Sequence, residues 1–486
     1  MPFTKEINRL LVGLLVGLGL IVASALYHGT LISDRLLERE DNARLFEQEA
    51  ALLRGSIYDR NGALLVASLQ DEDGFAIRRY YYPELNSAVG YASLRYGVGG
   101  IEAAYNTILR GDDLPYSLNT YLSRDVLHYP GEGADVLLTL DLATQRTLVR
   151  LMQDYQGAAV VLSVPEGEVL ALVSLPTFDP NTLELSWNRL RRSQDNPFFN
   201  RAVQGKYQPG SLLYTPLMAA AIANQVPLNT LYEDATRAVA AGEVTLSCAE
   251  TPPSDQLTLA EAYFYGCPAP FATLIEQLGL EEISRVFRRM QLAEPYPLPG
   301  YTPLLQSDAL QTATPNPTVT PAPGATDAFT ITLEDALGQG ALTVTPLRFA
   351  LLMLALASDG NAVAPHMLYA ARPPSADAWS PVTSRAATLP LTTAETAHDM
   401  RDLLQTTVEA STVRRGQSFG GATALAYSGN QTNVWFAGYG LSPLREGVVV
   451  VLVVEDTDDL ALAEQIGLRA LTAALAAGRE PNFPID

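Results

Sequence analysis

The groups in this 486-residue chain that could act as nucleophile, base or soft metal ligand are few. Lysine occurs only at Lys5 and Lys206, cysteine only at Cys248 and Cys267, and histidine four times. A mechanism that needs two lysines in one active site is excluded. Four scattered histidines and two cysteines make no metal cluster, so neither a metal nor a cofactor is expected. Arginine supplies the rest of the basic residues. It holds carboxylates well but cannot be a base near pH 7, so Arg414 and Arg415 read as a solvated turn, with contact to an anionic ligand as the alternative. Outside the cytoplasm a Cys248–Cys267 disulfide is allowed, two separate buried thiols being the alternative. No His or Lys neighbours Cys267 in sequence to lower its thiol pKa, which argues against a nucleophilic role.

The elements that must position these groups are legible from pattern. The chain carries 53 acidic and 32 basic side chains, a net charge of −21, so no basic surface is available for nucleic acid. Its 48% hydrophobic content fits a globular protein of two or three domains. After a cytoplasmic tail, residues 1–9, the uncharged run Leu10–Leu26 lies near the lower length limit for a membrane helix. Lys5 and Arg9 precede it, so an anchor over residues 10–28 would place the N-terminus in the cytoplasm and the body outside. A cleaved signal peptide is the competing reading, because Ala23-Ser24-Ala25 resembles a cleavage site. Residues 29–130 read as a stalk and a β-rich pedestal. Ser33–Leu53 has the pattern of a charged stalk helix, Asn61-Gly62 marks a hairpin turn, and a helix is expected from Ile101 to Leu109. Asp59, Arg60 and Asn61 are expected to set a turn and an ion pair within the pedestal.

Residues 131–486 read as helices around an antiparallel sheet, an α+β domain. Asp141 is expected to cap a helix. "GAAVVLSVPEGEVLALVSLPTF" reads as a hairpin, and "PGSLLYTPLMAAAIAN" and "TPLRFALLMLALAS" read as apolar helices. "ATALAYSGN", "NVWFAGYG" and "REGVVVVLVVED" read as three strands, and a last helix follows from about Leu460 to Ala477. Residues 311–328 are a Thr/Pro-rich, solvent-exposed loop.

The order of segments resembles the class B penicillin-binding proteins, membrane-anchored serine D,D-transpeptidases that cross-link peptidoglycan. The likeness covers essentially the whole chain, through "RGSIYDRNG", "GGIEAAYN", "LLTLDLATQ", "NRAVQGKYQPGS", "GQGALTVTPLRFALLMLALASDG" and "WFAGYG". It implies a penicillin-binding transpeptidase fold on a pedestal, without a glycosyltransferase domain. It also implies a site built from three motifs, S-x-x-K, S-x-N and K-T-G. The first falls at Ser211-Leu212-Leu213-Tyr214: the nucleophile position, Ser211, is kept, and Tyr214 stands where the lysine base belongs. The second falls at Gly266-Cys267-Pro268, with both polar side chains gone. The third is read at Tyr427-Ser428-Gly429, without its cation. The resemblance implies an oxyanion hole from the backbone N–H groups of Ser211 and Asn430. It would place a Cys248–Cys267 disulfide beside the second motif.

A neutral tyrosine hydroxyl, with a reference pKa near 10, is a base only where cations lower that value. Lys206 lies before Ser211 and reads as a loop lysine, folding back as a substitute base being the alternative. Trp435 and Phe436 are expected in the core, and Gly338, Gly340 and Gly429 at positions of special backbone conformation. The expected function is that of a catalytically impaired pseudo-transpeptidase, a scaffold or regulator of peptidoglycan synthesis or cell division. Its expected partners are cell-wall synthesis or division proteins, with peptidoglycan stems or a β-lactam as ligands. Two alternatives stand beside it: an active D,D-transpeptidase with Ser211 and a non-standard base, and a wall-peptide or β-lactam sensor. Codon drift toward arginine would explain the scarcity of lysine but not tyrosines at both cation positions.

Overall fold

The computed structural model describes residues 4–27, 49–112, 131–299, 301, 331–382, 387–408, 418–429, 431–442 and 446–477. Outside these lie the Thr/Pro-rich loop 311–328, most of the expected stalk helix, Asn430, Arg414 and Arg415.

The chain divides into two compact units. The smaller comprises Met1–Leu53, Leu69–Ile77 and Pro115–Glu132. It contains helix α1 (Thr4–Tyr27), on which Leu10, Leu14 and Ile21 are exposed. Among the described residues no helix is long and apolar enough to cross a membrane, and the span expected over residues 10–28 remains a proposal. Within the same unit the Asp71 carboxylate accepts the Asp73 and Phe75 N–H groups and closes a turn.

The larger unit comprises Arg54–Ser68, Arg78–Leu114 and Gly133–Asp486. A six-stranded sheet includes β1 (Ile57–Tyr58), β2 (Leu64–Gln70), β3 (Ala76–Tyr80) and β4 (Asp135–Leu138), with strands Leu368–Arg372 and Ser380–Pro381 beyond β4. β1 pairs antiparallel with β2 across the Asn61-Gly62 turn and parallel with β4. Gly62 has φ +80°, a conformation that favours glycine. The turn residues reach beyond the pedestal. Arg60 pairs with Glu168 at 3.3 Å, and Asn61 Nδ2 donates to the Asp141 carboxylate at 3.0 Å. The expected ion pair is therefore not internal to the pedestal. The helix expected at Ile101–Leu109 is two short pieces, Ile101–Ala104 and Asn106–Arg110, broken at Tyr105 with φ −114°.

Behind Ile101 lies a fully buried carboxylate. Glu102 receives Arg54 Nη2 at 2.8 Å, Arg78 Nε at 2.7 Å and the Tyr80 hydroxyl at 3.2 Å. Burial alone would raise its pKa; the two guanidiniums outweigh that and hold it below the usual carboxylate range.

The second sheet carries the site. Its strands are β5 (Gly157–Val164), β6 (Val169–Leu175), β7 (Ser418–Ser428), β8 (Gln431–Leu441) and β9 (Gly447–Val454). The order is β7-β8-β9-β5-β6, all antiparallel, so β7 is an edge. Both faces of the sheet are covered, which is why β9 reads as an unbroken apolar run. Val449, Val451 and Val453 join one core with α2 (Pro346–Ala357), a helix buried at all twelve residues. Val448, Val450, Leu452 and Val454 join a second core with helices Leu142–Met152 and Leu460–Ala476. Each such side chain contributes about 1.5–3 kcal/mol by leaving water. As the sequence implied, Asp141 caps the first of these helices, accepting Thr144 N–H at 2.7 Å, and Trp435 and Phe436 are buried.

Candidate active site

Ser211 sits in a 3₁₀ turn, Gly210–Leu213, that runs into helix α3 (Tyr214–Ala223). The turn is pressed against β7. Gly210 has φ +56°, and a Cβ there would lie 2.0 Å from the Leu425 carbonyl oxygen, so only glycine permits this approach. Gly338 (φ +79°) closes in from the other side, its carbonyl accepting Gly210 N–H at 2.9 Å. A Cβ on Gly340 would meet the Asp335 carboxylate at 2.2 Å. The glycines of "GQG" thus serve close packing behind Ser211.

The half-buried Ser211 hydroxyl has one hydrogen-bond partner among the described residues, the Leu425 N–H at 3.3 Å. The side chain in the base position cannot help it. Tyr214 is 2% exposed, and its ring stacks on Phe271 with centroids 4.1 Å apart and planes at 13°. Its hydroxyl has no hydrogen-bond partner among the described residues. Burial pushes its pKa up, away from the range of a base near pH 7. Lys206 is exposed and makes no hydrogen bond to Ser211.

The second triplet does meet Ser211. Gly266 has φ +59°, and a Cβ there would lie 3.7 Å from the Ser211 hydroxyl. Cys267 is the N-cap of helix α4 (Pro268–Leu278). Pro268 stands at the first helical position, where its missing N–H costs no helix bond. The structure joins Cys248 and Cys267 in a disulfide, with Cα atoms 3.9 Å apart.

The third triplet, by contrast, is misplaced in the sequence reading. The strand N–H that reaches the Ser211 hydroxyl belongs to Leu425. Tyr427 and Ser428 pair with Thr432 and Gln431 at the end of the β7–β8 hairpin. Gly429, φ +60° with open space around its Cα, forms the turn, and Asn430 falls outside the described residues. The hydroxyl–glycine pair Ser428-Gly429 imitates the end of K-T-G because a tight hairpin needs a glycine there. With Leu425 as the residue that follows the motif, the triplet reads Ala422-Thr423-Ala424. The hydroxyl is retained at Thr423, and the cation position is Ala422. Only the contact between Ser211 and β7 reveals this register.

The comparisons with known proteins show the family. The family description "Penicillin binding protein transpeptidase domain" matches residues 157–472, the greater part of the chain, and "Penicillin binding protein A dimerisation domain" matches residues 54–127. The chain belongs to the penicillin-binding protein transpeptidase family. Among the family's members, the peptidoglycan D,D-transpeptidase PbpA of Mycolicibacterium smegmatis is 26% identical, over 97% of this chain and 99% of its own length. PbpA of Mycobacterium tuberculosis is 27% identical over 75% of this chain and 74% of its own. In fold, the chain resembles penicillin-binding protein A from M. tuberculosis in its imipenem acyl-enzyme complex. The TM-score is 0.73 at 24% identity, covering 88% of this chain and all of the other.

Proposed function

We propose that this chain is a catalytically impaired transpeptidase homologue, a scaffold or regulator in peptidoglycan synthesis or division. The relatives named above are peptidoglycan D,D-transpeptidases, and the M. tuberculosis protein has been captured as a β-lactam acyl-enzyme. The observation that carries the reading is the surroundings of the Ser211 hydroxyl. It accepts a backbone N–H and meets no lysine, histidine, carboxylate or ionisable tyrosine among the described residues. A serine hydroxyl attacks a carbonyl only as its proton leaves, and general-base assistance contributes about 10²–10⁴-fold. Tyr214 is buried against Phe271, Gly266 brings no side chain, and Ala422 offers no charge for a substrate carboxylate. Losses within such a unit are not additive, so one surviving member restores little.

What remains is suited to binding. β7 is an edge strand of its sheet, the kind of element an extended peptide adds to, and Leu425 N–H with the Ser211 hydroxyl can hold a carbonyl. This favours a wall-peptide or β-lactam sensor as the second reading. For either role we propose, from the uncharged run after Lys5 and Arg9, that residues 10–28 serve as the anchor, with the N-terminus in the cytoplasm and the main body outside. Affinity capture of the anchored protein from membranes tests the scaffold role. Recovery of cell-wall synthesis or division proteins supports it, and their absence under conditions that recover such complexes for active relatives counts against it.

A further inference from the structure

We propose that the segment Cys248-Ala249-Glu250 is a plug, tied by the Cys248–Cys267 disulfide, that fills the groove beside Ser211 and controls ligand access to it. The inference rests on the reading that the Ser211 site binds without turning over. It starts from the volume a side chain at position 266 would need. A Cβ on Gly266 would lie 2.8 Å from the Ala249 Cβ, closer than real Cβ atoms come, and 3.7 Å from the Ser211 hydroxyl. A side chain at 266 would thus meet this chain's own Ala249 before it reached the serine. The loss of a side chain at 266 and the presence of Ala249 are complementary.

The segment is tied on both sides of Ala249. Cys248 is bonded to Cys267, whose side chain is fully buried at the cap of α4. The Glu250 N–H donates to the Tyr265 carbonyl at 3.1 Å. Cys267 is itself fixed, its N–H on the Ala262 carbonyl at 2.9 Å. Two restraints thus flank Ala249, the disulfide and the Glu250–Tyr265 hydrogen bond. Of the two, the hydrogen bond is exchangeable and the disulfide is not, so the disulfide decides whether the plug is held. A dithiol reductant opens it by thiol–disulfide exchange: two electrons and two protons pass to Cys248 and Cys267, leaving two thiols and an oxidised reductant. Cys248 is the half-buried partner.

The test uses the chain as it exists, with diacetyl-L-lysyl-D-alanyl-D-alanine as probe peptide. Peptide affinity is measured by titration NMR, and backbone hydrogen exchange is followed at residues 247–250. Three proteins are compared: wild type, Cys248→Ser with Cys267→Ser, and Ala249→Gly, which keeps the disulfide and removes only the blocking methyl group. The proposal expects the cysteine variant to bind the peptide at least about tenfold more tightly than wild type. Exchange at 247–250 should be at least about tenfold faster in that variant, with α2 unchanged. Ala249→Gly should gain affinity without the change in exchange. Equal affinities in all three proteins, or unchanged exchange in the cysteine variant, overturn the plug. If the cysteine variant does not fold, Ala249→Gly alone decides: no gain in affinity overturns it. Acylation of wild-type Ser211 by a β-lactam, read separately by mass, would sink the impaired-site reading instead, whatever the peptide affinities.

Discussion

At the scale of single residues the decisive exchange is lysine for tyrosine at position 214. A lysine there would need its charge stabilised. The tyrosine is stacked on Phe271, and among the described residues its hydroxyl has no hydrogen-bond partner. Tyr214→Phe should therefore change stability in urea denaturation by less than about 1 kcal/mol. Tyr214→Ala, which opens a cavity beside Phe271, should cost about 3–5 kcal/mol. A large loss in the phenylalanine variant would mean that the hydroxyl has a role. The raised pKa also sets an alkaline limit. Above pH 10 the tyrosines of the unfolded chain begin to ionise. Buried Tyr214, Tyr263 and Tyr439, raised by desolvation, still hold their protons. The folded state then binds more protons than the unfolded one, so stability is full below that range and falls as pH rises through it. Urea midpoints between pH 9 and 11 check this. That a tyrosine and not a lysine stands three residues after Ser211 was legible in the sequence. Ala249 was not, because its importance lies in what it touches across the disulfide.

At the scale of elements, register separates the sequence reading from the structure. The strands, the β5–β6 hairpin and the apolar helices followed from periodicity and composition, because a sheet covered on both faces must be apolar throughout. The triplet facing Ser211 did not. A hydroxyl–glycine pair at 428–429 and a threonine between alanines at 422–424 are both plausible remnants of K-T-G. The choice depends on which strand residue meets the 3₁₀ turn, a tertiary contact between positions 214 residues apart. Two glycine substitutions test the register. Gly210→Ala drives a methyl group into the Leu425 carbonyl and should cost well over about 2 kcal/mol. Gly429→Ala meets open space and should cost only the left-handed backbone penalty, about 1–2 kcal/mol. Comparable losses would mean that Gly210 does not pack on β7. The two-piece helix at Tyr105 was missed for a similar reason, since its apolar spacing is continuous while Glu102 is drawn inward to Arg54 and Arg78.

At the scale of the whole molecule, Glu102 links the segment that begins at Arg54 to the rest of the pedestal. Its pKa is held low in the folded state, so its contribution is present above the ordinary carboxylate range and is lost as pH falls through the folded value. Glu102→Gln should destabilise by about 3–5 kcal/mol at pH 7, because two buried guanidiniums lose their counter-charge. It should also flatten the decline in stability below pH 4 seen in urea titrations of wild type. Equal acid sensitivity in both proteins would assign that decline elsewhere. The transpeptidase fold was legible because its blocks of sequence occur in family order, while most of the stalk helix and the 311–328 loop lie outside the described residues. The state of the site was only partly legible, because the composition count of two lysines says what is missing and not what fills the space.

The central claim is that the Ser211 hydroxyl lacks the means to open a β-lactam or a D-alanyl peptide. It is tested most directly by intact-protein mass spectrometry after incubation with benzylpenicillin, with Ser211→Ala in parallel. No mass increase on the wild-type protein is the predicted result. A stoichiometric penicilloyl adduct that disappears in Ser211→Ala would contradict it.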